Sequence, residues 1–152
     1  MKNILFSLLL TSGAFAYQVG ETLDAPIASK LGLNSDKIYV IDFFASWCGS
    51  CKKEIPLISI ANNRINKHTT QIIGVDVDKN LQDGIDFQNK LKEKKRLNFK
   101  VVNDPKGEII SKFSPIGMPT LYYVKNNKVL KIITGAVDEI DNIILSDLKA
   151  MQ

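Results

Sequence analysis

The chain is poor in the residues that most often build metal and acid–base centres: its 152 residues include one histidine, two cysteines and one tryptophan. A closed zinc site takes about four ligands. Two thiolates therefore leave a zinc or copper reading short of donors, and His68, in the polar stretch Lys67-His68-Thr69-Thr70, reads as a surface residue. No apolar run approaches the ~20 residues that a membrane-crossing helix needs. Internal repeats and low-complexity segments are absent too. Charge of one sign is scarce: the formal net charge is +4, the basic residues are scattered, and no nucleic-acid-binding module is legible. Such mild basicity bears on solubility and acidic partners.

What is present is an ordinary globular composition, 45% hydrophobic and 24% charged, enough for one core and one domain. The first sixteen residues have the layout of a secretory leader: Lys2, an apolar stretch Ile4 to Leu10, then Ala14-Phe15-Ala16 as a small-x-small cleavage site. Cleavage after Ala16 is the expectation, with a domain over 17–152 and an exported, periplasmic location. No cysteine follows the apolar stretch, so lipid anchoring at that junction has no support. Export puts both thiols in an oxidising compartment, where a disulfide persists unless a dedicated donor reduces it.

Periodicity and turn residues give the coarse order of elements. Tyr17 to Leu33, with Gly20, Pro26 and Gly32, reads as an extended lead-in with at most one short strand. A buried strand is expected over Ile38 to Ala45 and a helix from Cys48 to Ile65, kinked at Pro56. A second buried strand covers Gln71 to Val77, a helix Leu81 to Lys95, a short strand Phe99 to Val102 and a short helix Glu108 to Phe113. The hairpin Leu121 to Val124 and Val129 to Thr134 follows. A last helix starts at Asp138 or a close neighbour. Buried strands alternating with helices, then a hairpin and a helix, predict an α/β sandwich around a mixed sheet.

The chemistry is concentrated in Trp47-Cys48-Gly49-Ser50-Cys51-Lys52-Lys53-Glu54-Ile55-Pro56. A Cys-x-x-Cys pair between a strand and a helix is a redox signature. If the helix starts at Cys48, its N-terminal N–H groups and dipole favour a thiolate there, making Cys48 the attacking sulfur. Cys51, one turn inside, is then the buried resolving thiol. A purely structural disulfide is the bland alternative, but so small a loop gains little stability from closure. Asp42 stands in the middle of an apolar strand, where burying a carboxylate is costly without a purpose. Burial would raise its pKa toward that of a general base. Glu54 falls on the same side of the helix as Cys51, with a helix-dipole acid as its plainer role.

Residues Phe43-Phe44-Ala45-Ser46-Trp47-Cys48-Gly49-Ser50-Cys51-Lys52-Lys53-Glu54-Ile55-Pro56, the Gly117-Met118-Pro119-Thr120 stretch and the helix-and-strand insert between Asp78 and Val102 resemble the thioredoxin superfamily. The resemblance is to the exported TlpA/ResA/CcmG-like thiol-disulfide oxidoreductases, and it covers essentially the whole chain after the leader. It implies a thioredoxin fold, a central mixed sheet flanked by helices, with a TlpA-type helix-strand insert. It further implies that Asp42 accepts the proton of Cys51, that Glu54 is linked to the activity of Cys51, and that Trp47 packs beside the disulfide and covers it. Pro119 is then cis, setting the Met118 backbone beside Cys48 to pair with an extended substrate. The implied function needs no cofactor or metal: a monomer exchanging its dithiol with client proteins, apocytochrome c among them, and drawing electrons from a membrane thiol reductase. Gly49-Ser50 departs from the family, in which many members carry proline between the cysteines, so an oxidant or isomerase of secreted proteins stays open. A copper metallochaperone is the alternative of another class.

Overall fold

A computed structural model describes residues 16–152. The expected leader, Met1 to Ala16, lies outside the described residues except for Ala16. Ten elements follow one another: α1 (Ala25–Leu31), β1 (Ile38–Phe44), α2 (Gly49–Arg64), β2 (Thr70–Asp76), α3 (Leu81–Glu93), β3 (Lys100–Asn103), α4 (Ile110–Phe113), β4 (Thr120–Lys125), β5 (Lys128–Thr134) and α5 (Ile140–Ala150). The sheet order is β3-β2-β1-β4-β5. β1, β2 and β3 run parallel, whereas β4 and β5 are antiparallel additions beside β1. The predicted mixed sheet flanked by helices is what forms.

β1 is central and every one of its residues is buried. Its side chains alternate between two cores, as strand geometry requires. Ile38, Val40 and Phe44 pack with Ile55 and Ile58 of α2, Leu91 of α3 and Ile144 of α5. Tyr39, Ile41 and Phe43 pack on the other side with Ile27 and Leu31 of α1 and Phe113 of α4. By this alternation Asp42 belongs to the α2 face. The register thus aims one carboxylate at the layer that also holds Cys51.

The lead-in is not extended throughout, because α1 occupies Ala25–Leu31. Asp24 caps it, Oδ1 accepting from the Ile27 N–H at 3.0 Å, Pro26 lies in its first turn, and Gly32 ends it at φ 70°. Pro26 and Gly32 read as breakers in the sequence. They are the boundaries of a helix too short to show periodicity. α2 runs unbroken through Pro56. α4 is shorter than expected because the Asp104 carboxylate takes the N–H groups of Ile109 and Ile110 ahead of it. α5 begins at Ile140 after Glu139 in the left-handed region, with no side-chain cap.

Gly74 of β2 lies beneath aromatic rings: a Cβ there would sit 2.6 Å from Phe44 Cε1 and 3.0 Å from Phe99 Cε2. Both rings are buried. Gly74→Ala is therefore expected to destabilise the protein by about 1–3 kcal/mol through overpacking, read as a lower denaturant midpoint with an unchanged slope.

Candidate active site

β1 delivers the chain to a tight turn at Ala45-Ser46-Trp47, closed by the Cys48 N–H donating to the Ala45 carbonyl at 3.1 Å. Cys48 is the N-cap of α2, with an extended backbone. Its Sγ accepts from the Cys51 N–H at 3.2 Å, the bond by which a capping side chain satisfies a first-turn donor. Cys48 and Cys51 are joined as a disulfide. Cys48 keeps 7% of its surface and Cys51 none, so of the two residues only Cys48 retains any contact with solvent. When the pair is reduced, a Cys48 thiolate inherits the Cys51 N–H and the positive end of α2.

Two buried carboxyls flank the pair in sequence, Asp42 six residues before Cys48 and Glu54 three after Cys51. Asp42 is 1% exposed and Glu54 3% exposed. Desolvation, and then the neighbouring Glu54, hold the Asp42 carboxyl well above the usual carboxylate range. Burial raises Glu54 to about 7, partly offset by the Val137 N–H donating to its Oε2 at 3.2 Å. Asp42 Oδ1 and Glu54 Oε1 have no hydrogen-bond partner among the described residues, and neither does the buried Tyr123 hydroxyl. Unpaired buried oxygens favour the protonated acid at neutral pH. The arrangement is a reservoir able to take one proton and give it back.

Met118–Pro119 is a cis peptide, with the Thr120 hydroxyl donating to the Gly117 carbonyl at 2.5 Å. Met118 packs against both cores. Trp47 is 67% exposed, which excludes ordinary core packing for its ring. It stands in a turn outside both core layers and lines, with Val77, Pro105, Ile110 and Met118, a cavity of about 340 Å³. Ile116, 97% exposed two residues before Met118, is a surface residue that hydrophobicity alone would have buried. His68 lies in the turn after α2, one helix length of ~24 Å from Cys48, and does not approach the cysteines.

Sequence reasoning passed over three further buried aspartates, Asp76, Asp78 and Asp104. Asp76 offered the signal that singled out Asp42, a carboxylate at the end of an apolar strand. Desolvation, outweighing hydrogen bonds from the Asp78 N–H and Gln88, raises it to about 6.

The model of the AhpC/TSA family matches residues 24–133, a span that includes both cysteines and the cis proline. The chain belongs to the AhpC/TSA family. Among curated relatives of this AhpC/TSA chain, the thiol-disulfide oxidoreductase ResA of Bacillus thuringiensis is 31% identical over 96 residues, covering 62% of this chain and 53% of the relative. The chain thus spans about half the length of the ResA relatives it matches. Among solved structures, a Chlorobium tepidum protein assigned as a candidate thiol:disulfide interchange protein DsbE superposes with a TM-score of 0.74 at 22% identity, covering 89% of this chain and 98% of that one. StoA of Bacillus subtilis gives a TM-score of 0.63 at 23% identity, covering 74% and 84%. At these identities the solved structures speak for a shared thioredoxin-like fold.

Proposed function

We propose that this AhpC/TSA-family chain is a thiol-disulfide oxidoreductase that exchanges its Cys48–Cys51 dithiol with disulfides of client proteins. One observation carries the reading: Cys48, the less buried of the disulfide pair, caps α2 while a fully buried Cys51 stands one turn inside. In the reducing direction the Cys48 thiolate attacks a client disulfide, forming a mixed disulfide and releasing the first client thiolate. Cys51 then gives up its proton and attacks Cys48 Sγ, releasing the second client thiolate. Two electrons pass to the client, and the protein is left as the disulfide. Glu54, near pH 7 in its titration, and Asp42 beside it are suited to take the Cys51 proton. Trp47, the residue before Cys48, and Met118 line one cavity and are the surface on which a client segment rests, the Met118 backbone pairing with it.

The leader pattern and the ResA likeness support an exported, periplasmic protein. There a reductant acting on apocytochrome c or a similar client needs a membrane thiol reductase as its donor. The test uses reduced protein at mildly acidic pH with a limiting alkylating agent, followed by peptide mapping. Label is expected on Cys48, and Cys48→Ser is expected to abolish reduction of a model protein disulfide. Label arriving first on Cys51, or full activity in Cys48→Ser, would overturn the assignment.

A further inference from the structure

The turn carrying Trp47 and Cys48 is gripped from outside the motif. Ser46 donates its backbone N–H to Asp78 Oδ2 at 2.7 Å and its hydroxyl to Asp78 Oδ1 at 2.8 Å. Both oxygens of one buried carboxylate are committed to a single residue, 32 positions earlier in the chain. Two parallel bonds fix orientation as well as distance, which one bond does not. Asp78 is itself anchored, its N–H donating to Asp76 Oδ1 at 3.0 Å. The other Asp76 oxygen accepts from Gln88 Nε2 at 2.8 Å, and the same nitrogen reaches Asn103 Oδ1 of β3 at 2.7 Å. α3 approaches so closely that a Cβ at Gly84 would fall 2.7 Å from Asp76 Oδ2. A continuous chain of bonds therefore runs from α3 and β3 to the residue two before Cys48.

We propose that Asp78 is a positioning residue of the redox centre, holding the Ser46-Trp47-Cys48 turn so that Cys48 stays at the N-terminus of α2, with Asp76 and Gln88 tying that grip to α3. The proposal deepens the oxidoreductase reading and rests on it for turnover alone, since Cys48 reactivity can be followed without any client. Cys48 Sγ meets the Cys51 N–H only while its backbone stays extended at φ −84°, ψ 103°. A loosened turn weakens thiolate stabilisation. Removing a negative charge close to Cys48 acts in the opposite sense, so two substitutions separate grip from charge. In Asp78→Asn the amide oxygen still accepts the Ser46 N–H and the amide nitrogen donates to Ser46 Oγ. Asp78→Ala loses both bonds.

The experiment follows alkylation of Cys48 in the reduced protein against pH, with reduction of a model protein disulfide measured in parallel and folding checked by circular dichroism. Asp78→Ala is expected to move the alkylation midpoint to higher pH and to lower kcat by about tenfold or more, the scale of a misplaced reacting group. Asp78→Asn, which keeps both bonds and drops only the charge, should hold kcat near the parent's with its midpoint level or displaced to lower pH, and Ser46→Ala should fall between parent and Asp78→Ala in kcat. Should Asp78→Ala fail to fold, Ser46→Ala and Gln88→Ala carry the test, each with an upward midpoint shift. Profiles that superimpose on the parent's overturn the proposal, as does an Asp78→Asn as impaired as Asp78→Ala. Profiles that separate as expected in a protein that reduces no client would sink the oxidoreductase reading and leave the grip standing.

Discussion

Glu54→Gln is expected to stabilise the oxidised protein above pH 7 and to leave it unchanged near pH 4. Burial raises the Glu54 pKa from 4.5 to about 7 in the folded state. Between those values the folded chain binds more protons than the unfolded one, so stability falls as pH rises through the window. The contribution is present in full below the unfolded pKa and is gone above the folded one. Every tenfold difference in proton affinity between the folded and unfolded chain corresponds to about 1.4 kcal/mol, and discounting for solvent screening gives an expected gain of about 2 kcal/mol for the glutamine variant above pH 7. Glutamine keeps the acceptor for the Val137 N–H, so nothing is lost at low pH. Asp42→Asn should act in the same direction over a window reaching higher, because Asp42 is desolvated and also faces Glu54. Asp76, raised to about 6, keeps some slope in either variant. Denaturant midpoints of parent and variants between pH 4 and 8 check this; curves that stay parallel throughout would refute it. On the proton-acceptor role proposed for Glu54, the gain in stability should come with a loss of function, resolution by Cys51 slowing by about 10²-fold. A group kept at such a cost to the fold is better explained by what it does than by what it holds together.

The difference between Asp42 and Asp78 shows how far the sequence could be read. Asp42 was legible because a carboxylate inside Ile38-Tyr39-Val40-Ile41-Asp42-Phe43-Phe44 has no solvent to face. β1 proves to be the central strand with neighbours on both sides. The Cys48 cap and the strand–turn–helix order follow from local signals within a dozen residues, and so were also readable. Asp78 was not, because its partner Ser46 is 32 residues away and both lie in turns, where no periodicity marks a buried side. α1 was missed for a related reason: seven residues are too few for an apolar face to repeat, and its cap and its glycine resemble those of a loop. The exposure of Trp47 was not readable, because an aromatic in a turn carries no pattern to say which way it points. Burial of such residues is decided by long-range packing, which a single sequence does not display.

The second large effect concerns the direction of exchange. A couple becomes oxidising when its reduced form is stabilised, chiefly through a very low thiolate pKa at the attacking cysteine. Here the N-terminus of α2 and the Cys51 N–H favour the Cys48 thiolate. Glu54, one turn past Cys51 and half-ionised near pH 7, works against further negative charge in the same layer, and Asp42 lies beside it. The thiolate is thereby kept from the extreme stabilisation of strong oxidants, and the expected potential lies nearer about −270 mV than about −120 mV. Glu54→Gln should then make the couple more oxidising, a change that a merely structural glutamate would not give. A Cys51→Ala variant, unable to resolve its mixed disulfide, should accumulate covalent complexes in cells with a reductase client such as apocytochrome c or with the membrane donor. A potential above about −150 mV, together with complexes spread over many secreted proteins, would instead assign the chain as an oxidant. The two measurements are independent, because the potential is an equilibrium property of the isolated couple and trapping depends on which partners reach Cys48 first.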